Sequence, residues 1–307
     1  SWNWKANGAG SANTDGSINS TVSANTTSGF SIVSYTGNGS AGATVGHGLG
    51  VTPKMIIVKR RSGGTGNWPT YTKSLGATKS LLLNATNAEA TGSGEWNNTE
   101  PTSSLFTVGG DSAVNASGST YIAYCFAEKQ GYLKTGKWTG NGNNDGPFSF
   151  CGFKPAFILI KRTDVAKNWY INDNLRLGYN VNNPYISPNL NAAETGGTEI
   201  DILSNGFKIR ASGTGHNQSG GTYIYMAIAE NPFVTSTGVP ATARWWLRKM
   251  LPDSRQKEIN ILFKKIIHTL IIINIILGSI TIYDKFIYVP DTSIKTRYIN
   301  ALYPDEV

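Results

Sequence analysis

Glu128 and Glu230 stand at the same place in two copies of one phrase, each closing an apolar run. Two carboxyl groups facing each other across a cleft can cleave a glycosidic bond, one as acid and the other as base or nucleophile. A structural role competes with that chemistry. Lys59-Arg60 and Lys161-Arg162 also close apolar runs, so each copy holds the makings of its own ion pair. A catalytic pair needs no symmetric duplication, so we read these groups as ion-pair partners and assign no catalytic residue. The pairs Asn67-Trp68 and Asn168-Trp169 are the other candidates. An indole stacks on a sugar face while a neighbouring amide bonds its hydroxyls, which makes them glycan-binding candidates. A tryptophan repeated in both copies also suits a core or a sheet edge. His47 and His216 lie in glycine-rich surroundings without clustered ligands, so neither metal nor cofactor is expected. Gly37-Asn38-Gly39 reads as a turn, and the sequence carries neither a Ser-His-Asp signature nor a phosphate loop.

The elements that must position these residues are themselves duplicated. Gly50–Arg60 returns as Gly152–Arg162, Ser117–Glu128 as Ser219–Glu230, and Tyr35–Gly39 as Trp138–Gly142. We place repeat 1 at residues 29–130 and repeat 2 at residues 131–234. Met55–Val58 and Ala156–Ile160 have no polar face, as expected of central strands covered on both sides. The Thr-Gly-Asn-Gly phrases carry a hairpin signal. Along Tyr121–Glu128 and Tyr223–Glu230 the residues alternate. Ile122, Tyr124 and Phe126 match Ile224, Met226 and Ile228 on a large-residue face, which is expected to form the sandwich core. The opposite faces carry mostly smaller residues. Without long amphipathic helices in the repeats, the expected fold is all-β, two tandem antiparallel β-sandwich (jelly-roll-like) repeats.

Composition narrows the function classes. Charged residues are only 15% of the 307, and the net charge is +8 without a basic stripe, which tells against nucleic acid as a partner. Cys125 and Cys151 read as small apolar fillers. Residues 1–28 are small and polar, and we read them as a leader left from a preceding module, with residues 5–28 a candidate for disorder. Residues 235–260 read as a linker, and residues 261–307 as an unrelated apolar extension. Ile266–Tyr283 is long enough to span a bilayer as one helix, with Lys264 and Lys265 beside it and Asn274 within it. Membrane contact is expected only if that helix forms.

Gly29–Gly39, Thr44–Arg60, Ser117–Glu128 and Gly206–Phe233 carry a family likeness, most distinctively in Gly46-His47-Gly48-Leu49-Gly50, Thr120–Glu128 and Gly220–Phe233. Residues 1–244 resemble a domain of unknown function repeated in predicted tail-fibre or tail-associated proteins of marine bacteriophages. The resemblance implies a non-catalytic virion protein of the tail, with host-surface polysaccharide or other virion proteins as partners. A homotrimeric fibre would multiply its contacts. The competing classes are a polysaccharide-degrading tailspike enzyme and a membrane-anchored bacterial surface adhesin.

Overall fold

The computed structural model describes residues 3–176, 180, 184–197 and 199–230. The linker and apolar extension expected over 235–307, the candidate span Ile266–Tyr283 included, lie outside the described residues. Both repeats fall within one compact unit, Ser1–Pro240. Among the described residues the fold is nearly all β, with antiparallel sheets and one short helix, α1 (Ser112–Asn115). Among the described residues no helix is long and apolar enough to cross a membrane.

Repeat 1 builds its large sheet from β3 (Phe30–Thr36), β10 (Thr120–Phe126), β5 (Met55–Arg60), β6 (Pro69–Thr72) and β7 (Lys79–Leu82), neighbours in that order, with the two-residue β8 (Ala90–Thr91) beyond β7. Repeat 2 builds β11 (Leu133–Thr139), β18 (Thr222–Ala229), β13 (Pro155–Arg162), β14 (Trp169–Asp173) and β15 (Tyr185–Ile186) in the same order. The registers correspond as well. Ile56 faces Cys125 and Tyr121 faces Arg60, as Ile158 faces Ala227 and Tyr223 faces Arg162. A small sheet covers one face of each. It pairs β4 (Ala43–Gly46) with β9 (Leu105–Val108) in repeat 1. In repeat 2, β17 (Gly206–Ile209) sits between β12 (Phe148–Phe150) and β16 (Ile200–Leu203). The duplication is therefore one of topology and not merely of phrases.

Each large sheet is apolar on both faces, and this sets the packing. Ile56, Val58, Tyr121, Ala123 and Cys125 face the small sheet of repeat 1, with Phe106 and Val108 opposite them. Ile158, Ile160, Tyr223 and Ala227 do the same in repeat 2, against Phe207 and Ile209. The other faces meet in a third apolar layer. Met55, Ile57 and Phe126 from repeat 1 share it with Phe157, Leu159, Ile224, Met226 and Ile228 from repeat 2. The expected assignment of faces is thus reversed. The large-residue faces bind the repeats to each other, and the smaller-residue faces build the two sandwich cores. Phe126, Ile224, Met226 and Ile228 are buried, whereas Ile122 and Tyr124 lie at the rim and stay half-buried.

Two other expectations are corrected. The polar leader is part of the domain: β1 (Ser11–Asn13) and β2 (Ser20–Asn25) extend the large sheet beyond β3, and Ile18 and Val22 are buried in the repeat 1 core. Trp4 reaches the shared layer and meets Phe126 and Phe157 edge-on, at 6.0 and 5.6 Å between centroids. Val22 alternating with hydroxyl residues is a half-buried strand, and alternation outweighs polar composition here. The Thr-Gly-Asn-Gly phrases are not hairpins, because β3 and β4 lie in different sheets. Each phrase crosses between sheets and is held by an asparagine: the N–H groups of Asn38 and Asn141 donate to Asn115 Oδ1 and Asn217 Oδ1, both at 2.9 Å. Gly37 and Gly140 are required by this crossing, since a Cβ would lie 2.5 Å from Ala116 O and 2.1 Å from Gln218 O.

Phe126→Ala should therefore destabilise the protein by about 3–5 kcal/mol in denaturant unfolding, the usual cost of emptying a core aromatic site. Ile122→Ala should cost about half as much or less, because less apolar surface is at stake. Equal losses would place Ile122 inside the shared layer.

Candidate functional site

The two repeats provide an internal control: positions alike in both serve the fold that both share. The Asn-Trp pairs fall in this group. The Trp68 N–H donates to Asn84 Oδ1 at 2.8 Å, and the Trp169 N–H to Asn189 Oδ1 at 2.9 Å. Asn84 and Asn189 return their amides to Asn67 Oδ1 and Asn168 Oδ1, at 3.1 and 2.9 Å. Asn67 and Asn168 thus tie the start of β6 and β14 to the chain that leaves β7 and β15. Trp169 is 0% exposed and its Nε1 donates to Leu82 O of repeat 1 at 2.9 Å, so neither ring face is open to a sugar. That corrects the expectation for Trp169. Trp68 is half-buried at the rim of the shared layer, with the Lys59 ammonium 5.3 Å from its ring centroid.

The expected ion pairs do not form. Strand direction is the reason: β10 and β18 run antiparallel to β5 and β13, so Glu128 and Glu230 lie beside the beginnings of those strands, not their basic ends. Glu128 instead pairs with Lys134 at 3.4 Å and accepts from the Thr135 N–H at 2.8 Å. Glu230 pairs with Lys154 at 2.9 Å. At the far end Arg60 donates to Ser62 O and Ser119 Oγ, and Lys59 to Gly66 O. Arg162 makes a two-pronged bond to Asp164, with contacts of 2.9 and 2.8 Å, and this guanidinium holds the Asp164 carboxyl down at about 2. Lys161 is fully buried, and Nζ donates to Lys167 O at 2.6 Å and to Thr86 O of repeat 1 at 3.0 Å. Burial lowers its pKa to about 8.

Asymmetric positions are the stronger candidates, and the clearest lies in repeat 2. His216 precedes Asn217 as Val114 precedes Asn115. The backbone oxygens of His216 and Val114 accept equivalent bonds, from Trp138 Nε1 at 3.2 Å and from Tyr35 Oη at 2.7 Å. The fold is satisfied by a valine here, and repeat 2 has an imidazole. His216 is 3% exposed, with Nδ1 3.2 Å from Glu199 Oε2. Its Nε2 is buried without a hydrogen-bond partner among the described residues. The Tyr170 and Tyr185 rings lie 4.4 and 5.7 Å from the imidazole and 5.2 Å from each other, nearly perpendicular. Tyr185 is half-buried and the Glu199 side chain keeps 24% of its surface, so an aromatic ring and a carboxylate reach solvent together. The bond to His216 holds the Glu199 carboxyl below its ordinary value. A carboxylate on Nδ1 takes that nitrogen's proton in a hydrogen bond and fixes the orientation of the imidazole ring. Sequence reading passed over His216 because no cluster of metal-ligating residues lies near it in the sequence. The mismatch with Val114 was the available signal.

These features define a class: a duplicated all-β sandwich protein whose halves share one apolar layer, with a polar-aromatic cluster in the second half. The chain belongs to the family described as domain of unknown function (DUF7483), whose model matches residues 1–232. That span includes the leader, in keeping with its place in the large sheet. No curated protein and no solved structure is significantly similar to the chain.

The buried Lys161 gives a signed pH dependence. Its pKa is about 8 when folded against an ordinary 10.5, so between these values the unfolded chain binds more protons and stability rises with pH. Wild type should gain stability relative to Lys161→Met as pH is raised from about 8 to about 10, read as the difference in thermal midpoints. A constant difference would mean that Lys161 titrates normally.

Proposed function

We propose that this protein is a non-catalytic structural module of a phage virion, carried on the tail, that binds host-surface polysaccharide through the Tyr185–Glu199 surface of repeat 2. The observation that carries this reading is the replacement of Val114 by His216, with the tyrosines and carboxylate gathered around it. A fold indifferent to that position has been given polar and aromatic groups there. The tail assignment draws on the likeness of Gly46–Gly50, Thr120–Glu128 and Gly220–Phe233 to predicted tail-associated proteins. The site suits a sugar: Tyr185 offers a ring face for stacking, and Glu199 accepts hydroxyl hydrogens while His216 holds it in place. The sheets beneath hold these groups rigidly, and repetition along a trimeric fibre would raise weak contacts to useful avidity.

The enzymatic reading, a tailspike that cleaves the same polymer, would set Glu199 to acid/base work beside a second carboxyl group. One experiment separates the two. Purified protein is incubated with isolated host polysaccharides, with bound protein and released oligosaccharides both measured. Binding without release is expected. Tyr185→Ala and Glu199→Gln should each weaken it about tenfold, about 1.4 kcal/mol, with thermal midpoints held within a few degrees. Trp169→Phe should leave affinity unchanged. Release of oligosaccharides would favour the enzyme, and absence of binding would remove the glycan reading altogether.

A further inference from the structure

Repeat 1 has a cover that repeat 2 lacks. Residues 13–25 close one open side of its sandwich by pairing with both sheets. β2 lies along β3, with Ser20 opposite Tyr35 and Thr21 opposite Ser34. Just before it, Ile18 bridges Val45 of β4, and its N–H donates to Thr44 O at 2.9 Å. The Thr44 N–H donates to Ser17 Oγ, and the Ser17 N–H to Thr44 Oγ1, both at 2.9 Å. Asn13 lies so close over Gly46 that a Cβ there would be 1.8 Å from its Oδ1.

The equivalent strands of repeat 2, β11 and β12, are the outermost of their sheets. Among the described residues no segment covers them as residues 13–25 cover β3 and β4. Ser149 faces Phe207 as Val45 faces Phe106, which puts Phe148 and Phe150 in the places of Thr44 and Gly46. These two phenylalanines are 45% and 62% exposed. Repeat 2 has no leader of its own, because β10 runs into β11 through residues 127–132. That connection guards the first half of β11: Lys129 bridges Leu133, and Glu128 takes the Thr135 N–H. The stretch from Lys137 to Thr139 corresponds to the part of β3 held by Ser20 and Thr21, and among the described residues no strand pairs with its outer edge.

We propose that this strip, Lys137–Thr139 together with Phe148 and Phe150, docks an extended segment of another polypeptide by strand addition. Repeat 1 shows the chemistry of the occupant. Like Ser17–Thr21, it is an uncharged, hydroxyl-rich segment with one β-branched apolar residue that enters between the sheets, as Ile18 does. Main-chain bonds to β11 supply affinity, and the two phenyl rings supply the apolar contact that a free edge lacks. The surface is separate from the Tyr185–Glu199 cluster and does not depend on glycan binding.

The test uses the full chain, a synthetic peptide of residues 13–21, and hydrogen exchange read by segment. Saturating peptide is expected to slow exchange at residues 137–139 and 147–151 by about fivefold or more, and Phe150→Asp to abolish the effect. No slowing would overturn the proposal, as would slowing confined to residues 30–36, where the peptide would be displacing the chain's own leader. So would protection already present at 137–139 that vanishes in a chain ended at Pro240, since the chain's own C-terminal residues would then hold the strip.

Discussion

Each large sheet of this protein is apolar on both faces, and a small sheet covers only one of them. Met55, Ile57 and Phe126 in repeat 1, and Phe157, Leu159 and Met226 in repeat 2, would otherwise form broad exposed patches. Burying the two patches against each other solves both problems at once. The shared layer turns two sandwiches into a single body with apolar cores on either side of a common middle. Polar contacts then fix the alignment of the halves: Trp169 and Lys161 of repeat 2 donate to Leu82 O and Thr86 O of repeat 1, and the Glu89 N–H donates to Thr163 O at 2.8 Å. Charge does little of this work, since pairs such as Lys73–Glu100 and Lys134–Glu128 lie where water screens them.

Duplication explains which residues are free to differ. Tyr121 and Tyr223 each stack on an aromatic of the neighbouring strand, Tyr35 or Trp138, at 5.1 Å between centroids. Their hydroxyls hold the loop before the strand, donating to Ser112 O in one repeat and to Thr214 O in the other. Such positions are constrained twice over. Where the repeats part, one can see both compensation and novelty. Val33 opposite Ala123 becomes Gly136 opposite Tyr225, a trade in which the larger side chain moves to the facing strand. His216 has no compensating partner of that kind, and the exposed Phe148 and Phe150 stand where repeat 1 is sheltered by its leader.

Much of the fold was legible in the sequence because the length and branching of apolar runs such as Met55–Val58 and Ala156–Ile160 fit central strands, in a chain poor in helix signals. The phrases that return in the same order reveal the duplication, and the equivalent registers follow from it. The assignment of faces was not legible. Both faces of Tyr121–Glu128 are apolar, and residue size does not say which face meets the small sheet. The leader was misread because serine, threonine and asparagine resemble disorder in composition, although Ile18, Val22 and Ala24 already alternate. The ion pairs failed on direction, which adjacency in two strands does not reveal. Of the glycan candidates, Asn67, Trp68, Asn168 and Trp169 were recognised as a recurring unit, and recurrence itself marked them as parts of the shared scaffold. His216 and Glu199 were separated by too many residues for spacing to join them, and only the fold brings them within bonding distance.

The claim on which this account turns is that the two repeats are one cooperative body joined through the shared layer. Native-state hydrogen exchange of the full chain measures it directly, strand by strand. The slowest amides of Tyr121–Phe126 and of Ile224–Ile228 should open with the same free energy, to within about 1 kcal/mol, and Phe126→Ala should lower both together. Two distinct opening free energies, with Phe126→Ala affecting only repeat 1, would contradict it and make the repeats independent domains.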